Sequence, residues 1–262
     1  VLQSGERQDP VFVDHVETIL KKIHRACNGE LGITLSLGEQ SQETYERWFT
    51  AGARRYLLRI ETSNKELYQR LHPQDHDHDR RLECLELLKT AGYQVGTGVM
   101  IRLPFQTYED LRDDLFFFKA HDIDMIGMGP YIEHDQTPLA GNTDYMIQED
   151  PLEMSLKMIA LARILLQDIN IASTTALQAL SPNGRELGLM AGANIIMPNM
   201  TPVKYRNNYR LYENKPCLDE NAEMCRDCLT RRIKSIGEAI GYHQWGDSPH
   251  FYKRTASTGD GR

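Results

Sequence analysis

No stretch of this 262-residue chain is apolar for long enough to cross a bilayer; its most apolar run, residues 156–166, is broken by Lys157 and Arg163. Positive charge is not in excess either. The 30 lysines and arginines are outnumbered by 37 aspartates and glutamates, a net charge of −7 that argues against non-specific nucleic-acid binding, which needs a basic field. Low-complexity segments and breaks in composition are missing, so nothing suggests a second domain. Cysteine is scarce: five residues, an odd number, with three clustered near the C-terminus. At this size and spacing a secreted disulfide framework is not expected, and a reducing, cytoplasmic setting is. No signal peptide is read at the start. An initiator methionine is also missing, and Val1 opens directly in what reads as the end of a strand. What remains is ordinary for one large globular domain with a sizeable core, 40% hydrophobic and 26% charged.

The pattern that repeats is an alternation. Short apolar runs at residues 1–2, 32–37, 56–60, 94–101, 124–128, 169–174 and 193–197 end in polar or glycine-bearing residues. Helical patterns follow at 10–27, 41–52, 64–71, 78–91, 107–121, 151–167 and 183–191. Strand–helix alternation with a repeat of about 30 residues implies βα units and a parallel sheet. The expected fold is therefore α/β, a TIM-type (β/α) barrel, with a doubly wound open sheet as the competing architecture. Seven strands are counted where a closed barrel has eight, so one strand and the start of another are expected before Val1. The barrel is expected over residues 1–246, with a polar, flexible tail over 247–262.

In such a barrel the chemistry sits at the C-terminal strand ends. The most informative strand is Arg55-Tyr56-Leu57-Leu58-Arg59-Ile60-Glu61. Side chains alternate faces, so Arg55, Leu57, Arg59 and Glu61 share one face, expected to be the lumen, and Tyr56, Leu58 and Ile60 pack on the helix layer. Two arginines inside a barrel need something anionic or well hydrogen-bonded to meet them. Two sources are open: an internal ion-pair network, or an anionic ligand in the lumen. Glycines at inward positions (Gly96 and Gly98, Gly127 and Gly129) favour the ligand, because glycine inside a strand often marks close approach.

Other segments are more ambiguous. Gln3-Ser4-Gly5-Glu6 reads equally as an ordinary strand-to-helix turn, and Thr174-Thr175 as strand residues with satisfied hydroxyls. The run Asp75-His76-Asp77-His78-Asp79 reads as a solvated loop rather than a metal site. Cys27 and Cys84 fall in helical patterns and read as inert core residues. Cys217, Cys225 and Cys228 form C-x7-C-x2-C. Three thiolates so spaced suit an iron–sulfur cluster with one iron open, zinc lacks a fourth ligand at a convincing spacing, and free thiols remain the alternative.

Several segments together carry a family likeness: Leu57-Leu58-Arg59-Ile60-Glu61-Thr62, Arg81-Leu82-Glu83-Cys84-Leu85, Gly127-Met128-Gly129-Pro130, Thr174-Thr175-Ala176, Gly192-Ala193-Asn194-Ile195-Ile196-Met197-Pro198-Asn199 and the C-terminal cysteine trio. They resemble the FeFe-hydrogenase maturase HydE family, radical S-adenosylmethionine (SAM) enzymes related to biotin synthase and methylornithine synthase. The resemblance runs from residue 1 to about residue 245. It implies a barrel holding a 4Fe–4S cluster that cleaves SAM to a 5′-deoxyadenosyl radical, with three cluster cysteines in a CxxxCxxC loop after the first strand. No such motif occurs in this sequence. The cluster ligands and the first strand are therefore expected upstream of Val1, and the chain alone is expected to be inactive.

By position, the resemblance assigns Ser4, Gly5, Glu6, Arg59, Glu61 and Arg81 to SAM. It assigns Arg55, Met125, Thr174, Thr175, Tyr209 and Tyr212 to the substrate cavity, and Cys217, Cys225 and Cys228 to an accessory iron–sulfur cluster. The implied substrate is a small iron complex with carbonyl, cyanide and cysteine ligands, attacked at sulfur during assembly of the diiron subcluster. Implied partners are other hydrogenase maturases and an electron donor such as a ferredoxin or flavodoxin, with no nucleic acid and no membrane. The rival readings are a methylornithine-synthase-like mutase and a non-catalytic barrel that binds SAM or a cluster.

Overall fold

The computed structural model describes residues 1–141, 147–206 and 222–257. Its elements, in chain order, are β1 (Leu2–Gln3), α1 (Pro10–Ala26), β2 (Ile33–Ser36), α2 (Gln42–Thr50), β3 (Ala53–Leu57), α3 (Lys65–Leu71), α4 (His78–Thr90), β4 (Gln94–Thr97), β5 (Met100–Ile101), α5 (Tyr108–Ala120), β6 (Met125–Ile126) and β7 (Gly129–Pro130). There follow α6 (Pro151–Leu166), β8 (Asn170–Ser173), α7 (Thr175–Leu180), α8 (Gly184–Met190), β9 (Ile195–Ile196), α9 (Val203–Arg206), α10 (Ala222–Ser235) and α11 (Pro249–Ser257). Seven strands form one parallel sheet in the order β1-β2-β3-β4-β6-β8-β9, so each strand lies beside its neighbour in sequence. The pair β5 and β7 continues β4 and β6 toward the C-terminal end, with Met100 opposite Gly129. All seven expected strands and all seven expected helices are present, most within two residues at their ends; the run at 56–60 forms its strand three residues earlier, at 53–57, and the run at 94–101 is split into β4 and β5.

Local chemistry explains where the helices start. Asp9 caps α1 by accepting from the Phe12 amide at 3.0 Å, and Pro10 stands at its first position, where no amide partner is lost. Thr107 and Asp110 form a reciprocal capping box on α5. Asp150 and Pro151 open α6 in the manner of α1. No helix among the described residues is long and apolar enough to cross a membrane.

The core between sheet and helices is aromatic on one side. Tyr45, Tyr56 and Tyr93 pack edge to face with centroids 5.2–6.5 Å apart, and all three are fully buried. Each finds a backbone partner, as buried hydroxyls must: Tyr56 donates to Gly38 O, Tyr93 donates to Tyr45 O, and the Tyr45 oxygen accepts from the Gln40 amide. Burial pushes all three phenols well above their usual range.

One expectation fails at the C-terminus. Residues from 247 onward were expected to form a flexible tail, yet Pro249–Ser257 is a helix fastened to the N-terminal end of the barrel. Arg254 pairs with Asp124 at 2.6 Å, His250 with Asp122 at 2.8 Å, and Lys253 with Asp168 at 2.7 Å. The physical reason is charge pairing rather than apolar burial: the helix buries no residue fully, so no hydrophobic periodicity announced it.

Candidate functional site

The strand parity expected for residues 55–61 holds, and it separates two sites by height. At the lower end, Arg55 lies level with Gln94 of β4 and Thr34 of β2. Its guanidinium already has an anion. Nε donates to Asp247 Oδ1 at 2.8 Å, Nη2 donates to the Trp245 carbonyl, and both side chains of the ion pair are about nine-tenths buried. Asn170 holds the same segment by donating to Gly246 O at 2.9 Å. Of the two sources left open for this arginine, the structure supplies the internal one. Residues 245–247 thus lie against the side chains of Arg55 and Asn170 at the lower end of the sheet.

The inward glycines also prove mixed. At Gly96 a Cβ would come within 2.8 Å of Met125 Cε, so Met125 and Leu57 fill the space a side chain would take. At Gly98 it would lie 2.0 Å from the Gly127 carbonyl oxygen, a backbone overlap that no rotamer relieves. Gly98 is therefore required by strand packing, not by a ligand. Met125 sits in this middle layer, level with Gly96. Thr174 stands at the N-cap position of α7 without making a capping hydrogen bond, its buried hydroxyl having no partner; Thr175 is the first residue of that helix.

The upper end carries the charge. Arg81, on α4, gathers three strand ends. Its Nη2 lies 3.3 Å from Glu6 after β1, its Nε 2.8 Å from Glu39 after β2, and its Nη1 3.5 Å from the Arg59 carbonyl after β3. Glu6 lies directly over Gly38, whose φ of +76° and missing Cβ leave room for it. Ser4 and Gly5 precede it at the sheet edge, where the Ser4 amide still bonds Ser36 O. Arg59 donates to Val99 O at 2.9 Å and lies 3.1 Å from Glu61, while its buried Nε has no partner. Glu61 adopts φ +65°, a left-handed conformation that costs a residue with a Cβ roughly 1–3 kcal/mol and clusters at functional sites.

Three neighbours were not foreseen. Glu39 is buried, and burial raises its carboxyl above the usual range despite Arg81. Tyr68 and His72 stack face to face at 3.8 Å, and burial lowers the His72 pKa while the nearby Glu61 charge works against that. A signal for Glu39 did exist, since Gly38-Glu39 repeats the Gly5-Glu6 pattern one strand later.

Of the remaining predicted residues, Tyr209, Tyr212 and Cys217 lie outside the described residues. Cys225 and Cys228 stand three apart on α10, hence on one face, Cys225 buried and Cys228 half-buried. No group of three metal-ligating side chains is present among the described residues.

A parallel βα sheet with its charged cluster at the C-terminal strand ends defines the class, and residues 1–118 match the Radical SAM superfamily. Among solved structures, methylornithine synthase (PylB) superposes with a TM-score of 0.74 at 21% identity, over 92% of this chain and 68% of that one. HydG, a maturase of the FeFe-hydrogenase, superposes with a TM-score of 0.69 at 17% identity, over 98% of this chain and 58% of that one. At such identities the likeness is one of fold. In sequence, the FeFe-hydrogenase maturase subunit HydE of Thermotoga maritima is 47% identical over 247 residues, 94% of this chain and 68% of the relative. The chain belongs to the HydE family of radical SAM iron–sulfur enzymes.

Two implied groups can be tested against the residues present. SAM fits: its methionine end offers a carboxylate and an ammonium, and the upper end offers an unpartnered buried donor on Arg59 and carboxylates on Glu61 and Glu6. The four-iron cluster does not fit this chain's described residues. Cys27 and Cys84 are its only cysteines outside the C-terminal trio, and Cys84 is buried against Gln40 O with its thiol pKa raised by burial.

Proposed function

We propose that this chain is the SAM-binding barrel of an enzyme of FeFe-hydrogenase maturation, acting on a small iron-containing substrate in the lumen beneath. The observation that carries the reading is Arg59 Nε, buried without a partner beside Glu61 at the C-terminal strand ends, in a chain 47% identical to HydE. Arg59 holds the methionine carboxylate, and Glu61 accepts from ribose hydroxyls or the amino group. Arg81 fixes the ends of the first three strands, and Ser4, Gly5 and Glu6 border the amino group. When bound, SAM supplies this family's carbon-radical chemistry. Below it, Met125, Thr174 and Thr175 line the substrate space, with Tyr209 and Tyr212 assigned to it by resemblance. Arg55 closes that space from beneath, already neutralised by Asp247. Other hydrogenase maturases and a small electron-transfer protein are the proposed partners.

A charge-assisted bond of this kind contributes roughly 1.5–3 kcal/mol. Arg59→Ala is therefore expected to weaken SAM binding about 10- to 100-fold, read by equilibrium dialysis with labelled SAM. Wild-type affinity in both Arg59→Ala and Glu61→Ala would overturn the assignment.

We also propose that Cys225 and Cys228, with Cys217, hold iron. After anaerobic reconstitution, the Cys225→Ser/Cys228→Ser double variant is expected to lose most of the bound iron. Equal iron in the variant and the parent would leave these thiols as core and surface residues only.

A further inference from the structure

Asp114 of α5 is fully buried, yet its carboxyl serves no part of the site described above. One oxygen, Oδ1, accepts from both the amide and the hydroxyl of Ser63 at 2.7 Å each, and the other, Oδ2, is buried without a partner. An apolar side chain would be the ordinary occupant of such a position, because a buried carboxyl with one bare oxygen is costly.

What Asp114 holds is the turn that follows Glu61. The Glu61 backbone is fixed on its upstream side by the barrel, its amide donating to Gly98 O and its carbonyl accepting from the Met100 amide. Downstream, Thr62 is fully buried, Ser63 hangs from Asp114, and Asn64 donates from Nδ2 to Asp110 Oδ1 at 2.7 Å. Two carboxyls one turn apart on α5 thus grip two successive residues. At the start of α4 the ring of His78 is buried edge-on to Tyr68 at 5.2 Å, with neither ring nitrogen hydrogen-bonded, and Arg81 stands one helical turn further along the same helix.

We propose that Asp114 is a positioning residue: through Ser63, with Asp110 holding Asn64 beside it, it keeps Glu61 in its left-handed conformation and at a fixed place relative to Arg59. This rests on the assignment of Glu61 to SAM.

Two measurements test it on the whole chain. In Asp114→Ala, labelled SAM is expected to bind at least tenfold more weakly. Hydrogen exchange of the segment 60–65 is expected to quicken at least tenfold, at a temperature well below the melting point. Asp114→Asn keeps an oxygen able to accept both Ser63 bonds and is expected to stay within threefold of wild type in both. A merely structural role predicts otherwise: both variants melt lower while SAM affinity and local exchange hold. Wild-type SAM affinity in Asp114→Ala, or unchanged exchange at 60–65, overturns the proposal. If Arg59→Ala and Glu61→Ala bind SAM normally, the site assignment fails by itself. The exchange comparison then still decides whether Asp114 holds the turn.

Discussion

Arg254→Ala is expected to lower the stability of the protein by about 3–5 kcal/mol, the usual penalty for stripping one partner from a buried ion pair. Asp124 is fully buried, and Arg254 meets it with two nitrogens, Nη2 at 2.6 Å and Nε at 3.2 Å, while also donating to Tyr93 O. Asp124 keeps one further donor, the Val95 amide at 2.8 Å, too little to solvate a charge. Burial already raises the Asp124 carboxyl above its ordinary pKa, and Arg254 pulls it back down. Without the arginine the folded-state pKa climbs further. A folded state that holds its proton more tightly than the unfolded chain loses stability as pH rises from the unfolded pKa to the folded one. The variant's deficit is therefore expected to grow as pH rises above the ordinary carboxylate range, read as the urea midpoint. Asp124→Asn in the Arg254→Ala background should recover much of it. An Arg254→Ala midpoint equal to wild type at pH 8 would show that the Arg254–Asp124 pair contributes nothing to stability.

Asp114→Asn is expected to change how stability depends on pH by a similar amount. Burial raises the Asp114 carboxyl from 3.8 to about 7, with Asp110 and Asp113 adding repulsion and the Ser63 bonds opposing it. A carboxyl held there binds its proton on the order of 4 kcal/mol more tightly in the folded state. Between about pH 4 and pH 7 the folded protein carries a proton that the unfolded chain has released, so this group's contribution falls with rising pH across that window and is flat above it. Asparagine cannot titrate. Relative to wild type, the variant should gain about 4 kcal/mol between pH 4 and pH 8, measured by urea unfolding at matched ionic strength. Parallel stability curves for the two proteins would show that Asp114 ionises as freely folded as unfolded.

The architecture was legible because βα units announce themselves by alternation, apolar runs of strand length with helical patterns between them. The caps at Asp9-Pro10, Thr107 with Asp110, and Asp150-Pro151 are also written in the sequence, but it is the structure that shows them at work. Alternation placed Arg55 and Arg59 on one face, but parity says nothing of height. The sequence could not show that the anion for Arg55 comes from Asp247, 192 residues away. The helix that follows was missed although it carried a usable signal. Ser248-Pro249 is a cap followed by proline at the first helical position, and Ser248 Oγ does accept from the Phe251 amide at 3.1 Å. The weight given to hydrophobic periodicity hid it, since this helix is held by ion pairs. Asp114 was equally hidden: nothing in the spacing of α5 distinguishes a carboxyl turned to solvent from one turned to Ser63.

The ion pair between Asp124 and Arg254 also orders events during synthesis. The two residues are 130 positions apart, and a ribosome adding about 5–20 residues per second takes on the order of ten seconds to cover that distance. Throughout that interval β6 can join the sheet only with Asp124 buried away from its cation, so the lower end of the nascent barrel stays less stable until α11 has been made.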